Sequence, residues 1–203
     1  MRLVFVHGWG FDATFWNGLS AALPDFPQAR VELGFLGRVP AWPDFQPDDV
    51  LIGHSLGFLL GVQQYRLWRA AIAINGFACF AGGTGACVAL AVLRAMRVSL
   101  ARDPKKTLAN FYRSFGHAAE PAGMDVARLM EGLLLLEASL VECPAGSRLI
   151  LASRKDRLVP PAASEHLATV LNNAPIRWQE EGGHLLPLTQ SLWCAEAIRA
   201  FLS

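Results

Sequence analysis

The sequence predicts an α/β fold built on a mostly parallel sheet of about six strands flanked by helices. Short apolar and β-branched runs alternate with helical patterns along the chain, which is typical of right-handed βαβ units. The chain has 203 residues, 53% of them hydrophobic, which is enough for one domain with a sizeable core. We therefore expect a single domain over residues 1–203.

The strand candidates are short runs rich in apolar and β-branched residues, separated by turn and helix signals. They are Leu3 to Val6, Ala29 to Leu33, Val50 to Gly53, Ala70 to Ile74, Arg148 to Ala152 and Pro175 to Gln179. Helices are predicted between them from caps and stops; Asp12 can cap a helix that reaches Leu23 and ends at Pro24. The other helices beside the sheet are predicted over Leu56 to Trp68, Pro161 to Leu171 and Ser191 to Leu202.

One interval, from about residue 77 to 142, has no convincing strand and predicts a helical insertion that caps the domain. Its clearest helix has Asp103 as N-cap, Pro104 at the first helical position and Gly116 as terminator. The other two helices are predicted over Ala86 to Leu100 and Asp125 to Val141. No internal repeat or low-complexity linker marks the insertion as a separate domain.

The composition argues against several classes of partner. The formal net charge is +1, so the chain has no electrostatic footprint for nucleic acid. No apolar run approaches the ~20 residues of a membrane helix, and the first motif begins at His7, which leaves no room for a signal peptide. The four cysteines lack CxxC spacing, which favours reduced thiols over zinc or redox chemistry. We expect a cytoplasmic monomer that binds neither nucleic acid nor membranes.

The stretch "GHSLG", residues 53–57, places Ser55 where a nucleophile is expected. It follows the strand "VLI" and opens a helix, which is the context of a nucleophile elbow. Gly53 and Gly57 are needed there because side chains would collide as strand and helix close together. An ordinary helix-capping serine is the alternative reading of Ser55.

A serine hydroxyl needs a base, and the base needs an orienting carboxylate. Asp156 follows the strand predicted to end at Ala152, and His184 follows the last strand. Both therefore lie at the carboxyl edge of the sheet, where ligands gather in parallel sheets. The sequence predicts a catalytic triad of Ser55, His184 and Asp156, in the chain order expected for such a site.

Other acids and histidines are less well placed for these two roles. Asp103 and Asp125 match helix caps, and Glu180 and Glu181 precede His184 too closely to come from a separate loop. The remaining histidines are expected to be structural or to lie at the surface; they are His7, His54, His117 and His166.

An acyl-transfer reaction develops an oxyanion, which needs N–H donors. The predicted donors are the N–H of Leu56, directly after the nucleophile, and the N–H of Trp9, in the loop after the first strand. Several apolar residues could line a pocket for the acyl group or belong to the plain core. They are Trp9, Phe77, Phe80, Phe111 and Leu185.

Together the motifs "HGWG", "GHSLG", "DRLVP" and "GGH" resemble the α/β-hydrolase fold over nearly the whole chain. Within it, "HGWGFDATFW" and "RLMEGLLLLEASL" resemble the pimeloyl-acyl-carrier-protein methyl ester esterases of biotin synthesis. The resemblance implies a serine carboxylesterase that acts through an acyl-enzyme on a small ester and requires no metal or organic cofactor. It also implies that basic cap residues dock an acyl carrier protein, with a solvated helix face as the alternative. The docking candidates are Arg94, Arg97, Arg102 and Arg113.

Two features depart from the pattern of these esterases. The chain begins at the "HG" strand without the usual preceding strand pair, so we expect a shorter sheet, and "ELGFLGRVP" replaces the usual glycine turn near the site. The same scaffold runs thioester cleavage, C–C bond hydrolysis, lyase chemistry and cofactor-free peroxidation, and the triad does not separate them. A non-catalytic binding module on this fold is the remaining alternative.

Overall fold

The computed structural model describes residues 1–117, 123–138 and 140–203. Positions 118–122 and 139, which belong to the predicted insertion, lie outside the described residues. The strands are β1 (Arg2–Val6), β2 (Gln28–Val31), β3 (Asp49–His54), β4 (Ala70–Ile74), β5 (Ser147–Ser153) and β6 (Ile176–Gln179). They form one sheet in the order β2-β1-β3-β4-β5-β6, and each neighbouring pair is parallel. The predicted parallel sheet of six strands is confirmed.

Helices flank this sheet, and three of them lie between β4 and β5 in the chain. The first two are α1 (Asn17–Ala21), which a 3₁₀ turn at Ala13–Trp16 precedes, and α2 (Leu56–Gln64). The three inserted helices, called the cap below, are α3 (Leu90–Arg102), α4 (Pro104–Ser114) and α5 (Val126–Ala138). The last three are α6 (Pro161–Val170), α7 (Leu186–Thr189) and α8 (Ser191–Leu202). In the part of the chain that the structure describes, none of these helices is long and apolar enough to cross a bilayer.

The capping signals of the sequence act as predicted. Asp12 accepts a hydrogen bond from the N–H of Thr14, and Asp103 accepts one from the N–H of Lys106 at the start of α4. Gly116 has φ +77°, the left-handed conformation in which glycine ends a helix without strain. The helix ends that these residues specify were therefore predictable from local chemistry.

Four predicted helices are longer than the observed ones. The helix predicted to reach Leu23 is a 3₁₀ turn at Ala13–Trp16 followed by α1, which ends at Ala21. The helix predicted to reach Trp68 ends at Gln64, because Tyr65 adopts an extended conformation and the Trp68 indole N–H donates to the carbonyl of Gly61. The helix predicted from residue 86 begins at residue 90, since the N–H groups of residues 87 and 88 both donate to the carbonyl of Phe80. Residue 141 is not helical, because its N–H donates to the carbonyl of residue 78.

The turn between β3 and α2 brings this helix into contact with the backbone of β1. A Cβ atom on Gly57 would lie 2.1 Å from the carbonyl oxygen of Val6 and 2.4 Å from that of His7. A Cβ atom on Gly53 would lie 2.3 Å from Cα of Phe58. These neighbours are backbone atoms of packed elements and cannot move aside, so both positions require glycine, as the sequence predicted.

We expect Gly57→Ala to lower the free energy of unfolding by at least about 3 kcal/mol, because the added methyl group must push α2 away from β1. Urea unfolding followed by circular dichroism measures this loss. Gly18→Ala in α1 is the control, since its Cβ would meet Ser191 at an ordinary 3.7 Å. The control should change the free energy of unfolding by no more than about 1 kcal/mol. Equal stabilities of the two variants would contradict the close contact.

Candidate active site

Ser55 lies on the turn between β3 and α2, at the carboxyl edge of the sheet. Its φ of 53° and ψ of −126° are strained for a residue that has a Cβ atom. The N–H of Ser55 donates to the carbonyl of Ile74 at 3.1 Å, which ties the turn to β4. The side chain is 7% exposed and lines a cavity between the sheet edge and the cap. The turn therefore presents the hydroxyl to this cavity, called the Ser55 cavity below.

His184 and Asp156 form a buried, hydrogen-bonded pair on the loops that follow β6 and β5. Nδ1 of His184 lies 2.8 Å from Oδ2 of Asp156, and both side chains are 1% exposed. The other carboxylate oxygen, Oδ1, accepts from the N–H groups of Leu158 and Val159 at 2.8 and 2.9 Å. Because an ionised carboxylate only accepts hydrogen bonds, Nδ1 of His184 is the donor, and in a neutral imidazole this leaves a lone pair on Nε2. This is the tautomer that a general base needs.

The loop of His184 contacts the residue that precedes the predicted nucleophile. Nε2 of His54 donates to the carbonyl of His184 at 2.9 Å, and the two imidazole centroids lie 4.8 Å apart. Among the described residues, no hydrogen bond joins the Ser55 hydroxyl to the imidazole of His184. Such bonds often form only when the substrate is bound. The fold thus brings the three predicted triad residues to one edge of the sheet.

His54 itself is an uncharged, buried support of this loop. Its ring is fully buried and stacks on Phe15 with centroids 4.6 Å apart. Within the described ranges, its Nδ1 atom has no hydrogen-bond partner. Burial lowers the pKa of His54 well below its ordinary value, and the neighbouring His184 lowers it further. The sequence-based expectation of a structural role agrees with these contacts.

We expect the free energy of unfolding to decrease as the pH falls below about 6.5, the pKa of a histidine in the unfolded chain. With a lowered pKa in the folded state, His54 binds its proton more readily in the unfolded chain, which favours unfolding. One such group changes the free energy of unfolding by up to about 1.4 kcal/mol per pH unit. His54→Gln removes the titration but keeps an N–H donor, so its urea unfolding should depend less on pH below about 6.5. Equal slopes would contradict this assignment.

Asn75, which the sequence analysis missed, joins the ends of three segments around the site. It follows β4 with φ 46°, and its Nδ2 donates to the carbonyls of Gly183 and His184, both at 2.8 Å. Its Oδ1 accepts from the N–H of Ser153 at the end of β5, at 3.0 Å. The sequence did offer a signal for a special backbone position here. Asn75 precedes a glycine at the end of a buried strand, and asparagine tolerates positive φ. Asn75 holds the loop that carries the predicted base.

The two predicted oxyanion donors lie beside Ser55. Leu56 is the first residue of α2, where helix geometry leaves the N–H without an intrahelical acceptor. A Cβ atom on Gly8 would lie 3.3 Å from Cβ of Ser55, so the loop that carries Trp9 passes next to Ser55. Neither N–H donates a backbone hydrogen bond to another described residue. Both N–H groups can therefore donate hydrogen bonds to an oxygen atom on which negative charge develops.

The Ser55 cavity has a volume of about 60 Å³ and is apolar apart from the serine. The indole N–H of Trp9 does not add polarity, because it donates to the carbonyl of Leu129 at 2.8 Å. Cap residues supply much of the wall. The lining residues are Trp9, Ser55, Phe80, Val88, Val92, Leu93, Met96, Phe111, Leu133, Leu136 and Leu158.

Of the five apolar residues predicted for an acyl pocket, the structure places three on the cavity: Trp9, Phe80 and Phe111. Phe77 and Leu185 do not line the cavity, so the prediction that they do is corrected. Phe77 is fully buried and packs against Phe80 with ring centroids 5.0 Å apart. Leu185 is buried in the core at the turn after the predicted base. The lining residues of α3 and α5 were missed, although the apolar faces of these helices were a signal.

The four arginines predicted to dock a carrier divide into two pairs. Arg94 and Arg97 on α3 both bind the carboxylate of Glu137 on α5. The hydrogen bond from Arg94, followed by that from Arg97, lowers the pKa of Glu137. Arg102 and Arg113 are exposed, and neither forms an ion pair with another described residue. The first pair connects two cap helices, with the Arg94 side chain still 61% exposed.

The acids left as alternatives to Asp156 are engaged elsewhere. Asp103 and Asp125 accept from backbone N–H groups at the starts of α4 and α5. Glu180 and Glu181 are exposed and pair with Arg154 and Lys155. Over the ranges that the structure describes, no three His, Cys, Asp or Glu side chains are grouped so as to hold a metal ion. Asp156 is thus the acid that meets His184.

Comparison with known proteins gives two curated relatives, and no model of a protein family matches the chain. Both relatives are named "Putative carbamate hydrolase RutD". The protein from Stutzerimonas stutzeri is 31% identical over 170 residues, which cover 69% of this chain and 60% of the relative. The protein from Pseudomonas syringae pv. syringae is 47% identical over 55 residues, 27% of this chain and 21% of the relative. The chain thus spans less than two thirds of either relative, and neither name is that of a pimeloyl-carrier esterase.

Solved structures match the whole chain at low identity. A bromoperoxidase from Bacillus anthracis has a TM-score of 0.80 at 14% identity, with 99% of this chain and 91% of that chain covered. An esterase from Exiguobacterium antarcticum has a TM-score of 0.81 at 14% identity with the same coverage. A structure described as epoxide hydrolases of the alpha/beta hydrolases superfamily, from metagenomes of hot environments, has a TM-score of 0.70 at 16% identity, covering 100% and 90%. At these identities the likeness shows a shared fold.

Proposed function

We propose that this chain, an α/β-hydrolase by its fold, is a serine hydrolase that cleaves a carboxylic ester through an acyl-enzyme. The observation that carries the proposal is the buried bond of 2.8 Å between His184 and Asp156, at the same sheet edge as Ser55. A buried carboxylate that orients an imidazole beside a strained serine is the arrangement that activates a hydroxyl nucleophile. The esterases and hydrolases among the structural neighbours support the same class of reaction.

The proposed reaction has two halves with the same base. Ser55 Oγ attacks the ester carbonyl while Nε2 of His184 takes the hydroxyl proton, and the N–H groups of Trp9 and Leu56 bind the oxyanion. The intermediate collapses, and the leaving alkoxide receives that proton from His184 and departs as an alcohol. A water molecule then gives a proton to His184 and attacks the acyl-enzyme. The acid leaves as Ser55 recovers its proton.

The apolar wall of the Ser55 cavity favours a substrate whose acyl group is a neutral alkyl chain. Among the residues that the structure describes, its wall has no charged side chain and no free polar group besides the serine. A charged group transferred there from water would lose its hydration without gaining a partner. The proposal therefore expects higher kcat/KM for esters of small unsubstituted alkyl acids than for matched esters with a charged acyl end.

Two more specific substrates for this proposed hydrolase each have their own support. The sequence motifs and the exposed Arg102 and Arg113 support a pimeloyl methyl ester on an acyl carrier protein in biotin biosynthesis. The names of the two curated relatives support a carbamate instead. A carbamate ion is small and charged, and the apolar Ser55 cavity favours the ester over it.

A substrate panel tests the proposal and separates these versions. It contains short nitrophenyl esters, a methyl pimeloyl-carrier ester, acyl thioesters and carbamate, together with a fluorophosphonate that labels reactive serines. We expect ester hydrolysis and covalent labelling of the peptide that contains Ser55. Preference for the carrier ester over free esters would support the biotin-pathway version, and turnover of carbamate alone would support the other. Absence of both turnover and labelling would contradict a serine hydrolase and favour a binding module.

A further inference from the structure

The loop of residues 8–11, called the oxyanion loop below, is bound by two cap helices as well as by the sheet. The hydroxyl of Tyr112 on α4 donates to the carbonyl of Gly10. The indole N–H of Trp9 donates to the carbonyl of Leu129 on α5 at 2.8 Å. The backbone N–H of Trp9 therefore belongs to a segment that the cap holds from two sides.

Glycines allow the cap to touch this loop directly. Gly10 has φ +76°, and a Cβ atom there would lie 2.9 Å from Cδ1 of Leu108 on α4. On the other side, a Cβ atom on Gly132 of α5 would lie 2.6 Å from Cδ1 of Trp9. The Trp9 ring also meets Phe111 edge to face with centroids 4.8 Å apart. Loop and cap are packed as one unit.

The hydrogen bond of Tyr112 has a fixed direction. The side chain is 2% exposed, and burial raises the pKa of its hydroxyl above the ordinary value. The hydroxyl consequently keeps its proton and donates it to the carbonyl of Gly10. This carbonyl belongs to the peptide that joins Gly10 to Phe11, and the Trp9 N–H lies two peptides earlier in the chain. The Tyr112 bond therefore anchors the backbone on one side of Trp9 while the indole bond to Leu129 anchors its side chain, and together they restrict the backbone that carries the Trp9 N–H.

We propose that Tyr112 is a positioning residue that aims the Trp9 N–H at the oxyanion. This inference rests on the proposed acyl-transfer function, in which that N–H is one of two oxyanion donors. It makes the cap a support of the oxyanion hole in addition to a wall of the cavity. Negative charge on the carbonyl oxygen develops in the transition state, so a misdirected donor lowers kcat more than it weakens substrate binding.

Tyr112→Phe tests the inference because it removes the hydroxyl alone and keeps the aromatic ring. In the wild-type chain the centroid of this ring lies 5.4 Å from that of Phe11. We expect kcat for a short nitrophenyl ester to fall about 10- to 100-fold, with KM changed less than about twofold. A trifluoromethyl ketone, which adds to the serine as a tetrahedral oxyanion, should bind more weakly by about the same factor as kcat. The control is Tyr65→Phe, at the second tyrosine of the chain, which stacks on Phe45 and whose hydroxyl bonds to no other described residue. It should leave all three constants unchanged.

Gly132→Ala gives an independent test from the α5 side. Its methyl group displaces the Trp9 ring, so kcat and ketone affinity should fall together here as well. Wild-type kcat and ketone affinity in Tyr112→Phe would overturn the positioning role and leave the proposed function standing. A loss of kcat without a loss of ketone affinity would also overturn it. A wild-type chain without Ser55-dependent ester hydrolysis would overturn the proposed function and this inference with it.

Discussion

Ser55→Ala should lower kcat for ester hydrolysis by roughly 10⁶-fold while the fold survives. In the proposed mechanism the substitution removes the atom that forms the acyl-enzyme, and the buried pair of His184 and Asp156 cannot replace it as a nucleophile. Alanine can adopt the φ of 53° at a cost similar to that of serine, because both residues carry a Cβ atom. Steady-state kinetics with a nitrophenyl ester measures the loss, and circular dichroism verifies the fold.

The matched control is Ser99→Ala, which removes an exposed hydroxyl on α3. It should retain kcat and fluorophosphonate labelling, whereas Ser55→Ala should lose both. Wild-type turnover in folded Ser55→Ala would refute the assignment of the nucleophile. Water activated by His184 would then be the alternative nucleophile, and labelling would distinguish the two.

Asp156→Asn should lower kcat by about 10⁴-fold through a change of tautomer at His184. Oδ1 of Asp156 accepts from two backbone N–H groups, so the amide oxygen of asparagine must take that place. Its amide nitrogen then faces Nδ1 of His184 and donates to it. The imidazole is thereby held with its proton on Nε2, where it cannot accept the proton of the serine hydroxyl.

Asp125→Asn is the matched control for this variant. Asp125 accepts from the N–H of Arg128 at the start of α5, and asparagine caps helices equally well. The control should keep kcat within about twofold of the wild type. If Asp156→Asn hydrolysed esters at a comparable rate, Asp156 would not be the orienting acid. The fluorophosphonate reaction should slow in parallel with kcat, since it uses the same activated hydroxyl.

Local chemistry explains what could be predicted from the sequence. β4 was predicted with its observed ends because "AAIAI" is an apolar run between polar residues. Ser55, Asp156 and His184 were selected because each follows a strand, and parallel strands bring their carboxyl ends to one edge. The proximity of these three residues at one sheet edge therefore follows from the order of elements along the chain.

Contacts between distant segments explain what was missed. Phe77 and Phe80 look alike in the sequence, and only packing decides that Phe80 faces the Ser55 cavity. The partner of Arg94 is Glu137 on another helix, which no local pattern reveals. Asn75 likewise acquires its role from loops that are far away in the sequence. Such roles are properties of the tertiary structure, so residue type and spacing do not specify them.

The hydrogen bonds of Asn75 have a consequence for the order in which activity arises during folding. They join positions 78 and 109 residues apart in the chain, whereas the contacts of the Ser55 turn with Ile74 and Val6 span 19 and 51 residues, so the bonds of Asn75 must overcome a larger loop-closure entropy. The serine turn can therefore form before the loop of His184 is secured. A partly folded chain would then have the proposed nucleophile without its proposed base, so we expect hydrolysis only when the last strand and its loop are in place.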